Sequence, residues 1–188
     1  MSSSDPTRAL RLDCRRRRRG LHDVARRDAE SAISAAISRK LHGAAAVGAY
    51  LATDGEVDLH GVIAICQQRE IALAVPRVVG REMTFAPLAA EAPTIRNRFG
   101  IDEPESTVPE LPLAVLSFVL APVVAFDDAG NRLGRGGGFY DRCFAAPDAP
   151  PLVGVAFECQ RIPLLPAKAH DVALTAVVTE AGWQDFHG

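Results

Sequence analysis

Short apolar runs that do not alternate with polar residues constrain this chain more than any other feature. Ala44 to Leu51 (AAAVGAYL), Leu113 to Phe126 and Leu152 to Phe157 (LVGVAF) read as strands covered on both faces, because a strand with one wet face would show polar residues at every second position. Stretches of helical character separate these runs. Apolar strand and helix in alternation predict an α/β fold, a three-layer α/β/α arrangement around a mainly parallel sheet. At 188 residues the chain can bury one substantial core, so residues 1–188 are expected to form a single domain.

Taken in order, Asp5-Pro6 signals a helix start, and Gly20 ends that first helix. Asp23 caps a second helix reaching Leu41, whose Ala25, Ala29, Ala32, Ile33, Ala36, Ile37 and Leu41 share one side. After the first strand comes a polar loop, Ala52 to Asp58, and open α/β sheets bind ligands at such carboxyl ends. Leu59 to Arg69 reads as helix, Ile71 to Val78 as strand, and Met83 to Leu88 as a shorter edge strand, given Pro87. Residues 91–112, rich in Pro, Glu and Asn, form a long surface connection. Leu113 to Phe126 is expected to be the central strand, with Pro122 marking its exit, Phe139 to Ala145 a helix, and Ala173 to Thr179 the last strand.

A formal net charge of −2 and a pI near 6.2 give no bulk attraction to nucleic acid. The basic tract Arg15 to Arg19 is therefore read as a solvated helix face rather than a nucleic-acid arm. Cys14, Cys66, Cys143 and Cys159 form no CxxC pair and suit free thiols in a reducing compartment. His22, His42, His60 and His187 lack metal-ligand spacing. With no signal-like stretch at the start and no apolar run long enough for a membrane helix, a cytoplasmic protein without membrane or nucleic-acid partners is expected, and a monomer.

Chemistry concentrates in Asn131 to Arg142, NRLGRGGGFYDR. Gly134, Gly136, Gly137 and Gly138 leave backbone N–H groups open to close approach by an anion. A strand, loop and helix in that order aim loop amides and a helix start at one point, which favours phosphate. Arg132 and Arg135 add positive charge, and Asp141 adds a hard oxygen ligand, suggesting a metal-nucleotide site. Neither common phosphate loop fits, since no Lys-Ser or Lys-Thr follows the last glycine and Phe139 stands where a dinucleotide fingerprint wants a small residue.

The segment PVVAFDDAGNRLGRGGGFYDR (Pro122 to Arg142) closely resembles the signature of the 5-formyltetrahydrofolate cyclo-ligase family, the methenyltetrahydrofolate synthetases. Leu10-Arg11, Gly55-Glu56-Val57-Asp58, Pro76-Arg77-Val78, Arg98-Phe99-Gly100-Ile101, Gly154-Val155-Ala156-Phe157, and His170-Asp171 through Val177-Val178-Thr179-Glu180 fall in the family's order. The resemblance implies conversion of 5-formyltetrahydrofolate to 5,10-methenyltetrahydrofolate with ATP as co-substrate, Mg2+ required, and ADP and phosphate released. In that mechanism the formyl oxygen is phosphorylated before nitrogen 10 closes the ring. It further implies that Arg132, Arg135 and Asp141 are catalytic. Arg8, Arg11, Arg132, Leu133, Gly134, Arg135, Gly136, Gly137, Gly138, Phe139 and Tyr140 would bind ATP. Leu51, Glu56, Arg135, Gly136, Gly137, Gly138 and Phe139 would bind the folate, and Asp141 and Asp171 the metal.

The chain departs from the family pattern at Thr7, where a lysine is usual four positions before Arg11. The neighbouring Arg8 is read as the substitute, though the two cations differ in reach and geometry. Arg135 falls at a variable position. Family relatives by fold include sugar-phosphate isomerases and CoA transferases, so a phosphosugar isomerase is the rival enzyme. A non-catalytic folate- or nucleotide-binding protein, or an RNA binder using Arg15 to Arg19, is the rival of another class.

Overall fold

The computed structural model describes residues 7–88, 93–98 and 100–186. Asp5-Pro6, Phe99 and His187, and residues 91 and 92 of the long connection, lie outside these. In chain order the elements are α1 (Thr7–Arg19), α2 (Asp23–Lys40), β1 (Ala46–Gly48), α3 (His60–Gln68), β2 (Ala72–Val79), β3 (Glu82–Pro87), β4 (Thr94–Arg96), β5 (Asp102–Pro104), β6 (Val119–Pro122), β7 (Ala125–Phe126), β8 (Arg132–Leu133), α4 (Phe139–Cys143), β9 (Leu152–Val155), β10 (Ala176–Thr179) and β11 (Gly182–Asp185). Seven strands make the main sheet in the order β11-β10-β9-β6-β1-β2-β3. Its five inner strands run parallel, and the edge strands β3 and β11 pair antiparallel.

Neighbouring strand residues serve opposite faces, which is why the inner strands read as unbroken apolar runs. Val47, Leu120, Val153 and Val178 pack under α2 and α3 through Ile33, Ile37, Leu41, Val62 and Cys66. Ala46, Val119, Ala121 and Val177 face the other way, against Phe85, Phe126, Phe144 and Leu174, beneath α4 and its flanking loops. Helix α1 caps a third apolar cluster, seating Cys14 on Val124, Ala125, Leu133, Ile162 and Leu165 at the carboxyl end of the sheet. Among the described residues no helix is long and apolar enough to cross a membrane.

Four expectations need correction. The run Leu113 to Phe126 is not one strand. It begins as a 3-10 turn, Leu113–Val115, gives the central strand β6, and after Pro122 turns into β7, which pairs with β8 in a separate hairpin. Pro122 lacks an N–H to extend the ladder, and the chain leaves the sheet there. A further strand, β11, follows Ala173 to Thr179. Its Trp183 and Gln184 are only half-buried, so the segment carries no strand-like apolar run. Asp23 is the first residue of α2 rather than its cap, a position held by His22. The arginine tract is a solvated face only in part: Arg16, Arg17 and Arg19 are exposed, but Arg18 is not. The Arg18 side chain is 0% exposed and donates to the Asp54 carbonyl at 2.9 Å and to its carboxylate at 3.1 Å. Arg15 and Arg19 converge on the same carboxylate, while Arg16 and Arg17 pair with Asp13. One acidic residue on the β1–α3 loop thus anchors three arginines of α1.

Candidate active site

The carboxyl ends of β1, β2 and β6 open into a cavity of about 550 Å³, within the size range of small-molecule sites. Three walls meet there. The first is the loop after β1, carrying Tyr50, Leu51 and Glu56. The second is the glycine loop with the start of α4, and the third is the N-terminal turn of α1, with Thr7 and Arg11. The segment Pro166 to Asp171 closes a further side.

The glycine loop adopts a shape that only glycine takes readily. Gly136 has φ +99° and Gly138 has φ +65°, the left-handed region where a Cβ is strained. At Gly138 a Cβ would also meet the Arg142 guanidinium at 2.7 Å. Arg142 holds the loop from behind, donating to the carbonyls of Gly137 (3.0 Å) and Arg81 (2.7 Å). From across the cavity Arg11 Nε donates to the Gly134 carbonyl at 2.9 Å, and its Nη1 donates to Thr7 Oγ1 at 2.5 Å.

Two ion pairs dominate the electrostatics. Arg132 Nη2 donates to Asp141 Oδ1 at 2.7 Å, with 6% of the arginine side chain exposed. Arg132 Nε is buried and has no hydrogen-bond partner among the described residues. Asp141 Oδ1 also accepts the Val172 N–H at 3.1 Å, which draws the Asp171-Val172 segment onto the metal-ligand candidate. Glu56, with 6% of its side chain exposed, takes Arg135 on Oε1, with Nη2 at 2.9 Å and Nε at 3.1 Å. Its Oε2 accepts the Thr53 N–H at 3.0 Å. Burial, followed by the Glu56 charge, pushes the Tyr140 hydroxyl far above the usual phenol range. It therefore stays a proton-bearing donor at neutral pH.

Magnesium suits this donor set. No three His, Cys, Asp or Glu side chains gather into a metal site among the described residues; of the four carboxylates that line the cavity, Glu56, Asp102, Asp141 and Asp171, the family expectation names the pair Asp141 and Asp171. A hard cation that keeps water and takes phosphate oxygens needs no more protein ligands than that. The Arg132 and Val172 contacts of Asp141 both fall on Oδ1, leaving Oδ2 available. Asp171 accepts the Lys168 N–H at 2.8 Å and is otherwise exposed.

The sequence profile of the 5-formyltetrahydrofolate cyclo-ligase family matches residues 3–180. The chain belongs to this family. It is 36% identical over 134 residues to the 5-formyltetrahydrofolate cyclo-ligase of Haemophilus influenzae, covering 68% of this chain and 72% of that protein. Against the 5-formyltetrahydrofolate cyclo-ligase of Escherichia coli it is 37% identical over 141 residues, covering 71% and 76%. The solved 5,10-methenyltetrahydrofolate synthetase of Aquifex aeolicus superposes with a TM-score of 0.78 at 29% identity over 96% of this chain and 92% of that one. That of Mycoplasma pneumoniae, at 20% identity, shares the fold with a TM-score of 0.77 over 93% and 99%.

Set against the cyclo-ligase expectations, the structure gathers Arg11, Leu51, Glu56, Arg132, Leu133, the loop from Gly134 to Gly138, Phe139, Tyr140, Asp141 and Asp171 around one cavity. Arg8 is the exception. It is exposed and does not line the cavity, because it follows Thr7 by one residue and a helix turns adjacent positions about 100° apart. Thr7 itself lines the wall and holds Arg11, so position 7 serves through a hydroxyl. Sequence reasoning missed Tyr50, Asn97, Ile101, Asp102, Pro166, Lys168 and His170, all in the lining. Of these seven, only Ile101 and His170 fall within the family motifs, which also hold the lining residues Pro76, Val78 and Pro122. His170 Nε2 stands 3.7 Å from Asp171 Oδ1, beyond hydrogen-bond distance, so the two form no catalytic dyad.

Proposed function

We propose that this chain catalyses ATP-dependent cyclisation of 5-formyltetrahydrofolate to 5,10-methenyltetrahydrofolate. Membership of the cyclo-ligase family supports the reaction class. The observation that carries the reading for this chain is the convergence of Arg11, Arg132, Glu56, Asp141 and Asp171 on one cavity around the glycine loop. Phosphoryl transfer asks of a protein mainly positioning and charge stabilisation, and the cavity guanidiniums beside open loop amides provide both. The formyl oxygen on nitrogen 5 attacks the γ-phosphorus and ADP leaves. Nitrogen 10 then adds to the activated carbon with loss of its proton, and inorganic phosphate departs as the C–O bond breaks.

In this scheme Arg11, Arg132 and the amides of Gly134 to Gly138 hold the phosphates, with Leu133, Phe139 and Tyr140 beside them. Glu56 and Leu51 hold the folate, Glu56 accepting from its N–H edge. Asp141 and Asp171 would hold Mg2+, which supplies charge neutralisation on the transferred phosphoryl group. The phosphosugar isomerase alternative finds no support among the named relatives. Of the basic tract, Arg15, Arg18 and Arg19 pair with Asp54 and Arg16 and Arg17 with Asp13, which favours a role in holding α1 over the RNA-binding alternative.

The test follows the absorbance of the methenyl product with ATP and Mg2+ for wild type and Asp141→Ala. Wild-type turnover, with at least about a hundredfold loss in the variant, is expected. Absence of wild-type turnover overturns the assignment.

A further inference from the structure

The Glu56–Arg135 pair joins the two substrate sites, and it occupies the very carboxylate the folate needs. Arg135 belongs to the glycine loop, where phosphates would bind, yet its guanidinium reaches to the loop after β1. There Nε and Nη2 both lie on Glu56 Oε1, at 3.1 and 2.9 Å. Nη2 also contacts Thr53, with the carbonyl at 3.3 Å and the hydroxyl closer still. With Oε2 taken by the Thr53 N–H, both oxygens of a carboxylate 6% exposed are engaged. A pterin approaching with its own N–H groups competes with Arg135 for them.

Arg135 is also the cavity guanidinium best placed to leave. Arg132 is locked to Asp141 with 6% of its side chain exposed, whereas 35% of Arg135 is exposed. Arg11 is fastened to Gly134 and Thr7. Arg135 is flanked by Gly134, which has open space where a Cβ would be, and by Gly136 at φ +99°. Its surroundings are cationic. Burial first, and then the charge of Arg135, hold the neighbouring Arg15 below the usual arginine range. A polyphosphate outbids a single carboxylate for such a guanidinium, since it offers more charge and a bidentate acceptor.

We infer that Arg135 couples the two substrates: without nucleotide it covers Glu56 against the folate, and entry of the phosphates draws it away and uncovers that carboxylate. This rests on the cyclo-ligase reading and adds to it a linkage between the two binding steps. Linkage is reciprocal, so the folate must tighten nucleotide binding by the same factor that nucleotide tightens the folate.

The experiment measures equilibrium binding of 5-formyltetrahydrofolate to the full chain, with and without a saturating β,γ-imido analogue of ATP and Mg2+. Wild type and Arg135→Met are compared. In wild type the analogue is expected to tighten the folate about tenfold, within the usual span of allosteric couplings. In Arg135→Met, folate alone binds several-fold tighter than to wild type, and the coupling falls below about twofold. The readout is a ratio of affinities on one preparation, so loss of some folded protein does not mimic it. A variant that keeps the wild-type coupling, or binds folate alone no better than wild type, overturns the inference while leaving the reaction standing. Failure of wild type to bind 5-formyltetrahydrofolate with or without the analogue overturns the reaction, and the inference with it.

Discussion

Arg132 and Asp141 face each other across the glycine loop, Nη2 to Oδ1 at 2.7 Å. The pair sets the guanidinium proposed for phosphate against the carboxylate proposed for magnesium, so each side chain is held in position by the other. Arg132 Nε, buried and without a partner among the described residues, leaves one donor of this guanidinium unpaired at the cavity wall. An unpaired buried donor is costly.

Arg132→Met should therefore lower kcat by about 10²–10³, the usual loss when one preorganised donor to developing charge is removed. Arg132→Lys should recover little, because an ammonium cannot hold Asp141 and a phosphate with one planar fork. Steady-state kinetics on methenyl formation decide this. A kcat within tenfold of wild type for Arg132→Met would remove Arg132 from the catalytic role given to it.

Gly138 tests the loop's backbone. Its φ is +65°, and the Arg142 guanidinium stands 2.7 Å from the position a Cβ would take. Gly138→Ala must therefore strain the chain and push Arg142 Nη1 aside. A loss of about 1–2 kcal/mol in unfolding free energy is expected from the left-handed residue alone. KM for ATP should rise as the loop amides lose alignment. Gly134→Ala, with nothing within 4 Å of its Cβ and no positive φ, should leave stability unchanged. Chemical denaturation of the two variants side by side checks the contrast.

Much of this arrangement was legible from residue order. The unalternated apolar runs and the strand-to-helix alternation followed from a sheet covered on both faces. The left-handed turns of the glycine loop were legible because its composition is its conformation. What the sequence could not carry was partnership across space. Arg16 and Arg18 are the same residue two positions apart on one helix, yet their side chains are 83% and 0% exposed. The difference lies in Asp54, some thirty-six residues away, and no local pattern encodes it. Lys168 and His170 entered the cavity unannounced for the same reason, since an irregular segment has no periodicity to betray which side it turns inward. Arg8 failed in the opposite way, as a charge alone does not fix which face of α1 a residue occupies.

That burial of Arg18 makes a sharp contrast. Its guanidinium satisfies the Asp54 carbonyl and carboxylate at the α1 to β1-loop junction, and desolvation holds its pKa below the usual arginine range. Arg18→Ala should destabilise by about 2–5 kcal/mol, because it empties a fully buried site and removes the donors to the Asp54 and Val123 carbonyls, while Arg15 and Arg19 still face the Asp54 carboxylate. Arg16→Ala, on the solvent side, should stay within about 0.5 kcal/mol. Equal effects of the two substitutions in urea unfolding would remove Arg18 from the structural role given to it.

Asp127 governs how the chain enters the site, and it gives a pH signature. It is 1% exposed. Its Oδ1 accepts the N–H groups of Ala129 (3.0 Å) and Asn131 (2.9 Å), and its Oδ2 those of Leu165 (2.9 Å) and the Asn131 side-chain amide (2.9 Å). Burial by itself would raise the Asp127 pKa, but the Asn131 amide and the three backbone donors outweigh it, so the folded value lies below the ordinary one. A depressed carboxylate contributes stability that is fully present above the unfolded pKa of about 3.9 and is lost as pH falls through the folded value. Asp127→Asn sets an amide N–H₂ against donors and should cost about 2–3 kcal/mol at pH 7. The gap between wild type and variant should then shrink steadily below about pH 4, as wild type takes up its proton. Because the same turn delivers Arg132 to the cavity, the variant's KM for ATP should also rise at neutral pH. A stability gap that does not change with acid would mean that the carboxylate's charge contributes nothing to the turn, and that its shape alone holds the β7–β8 hairpin.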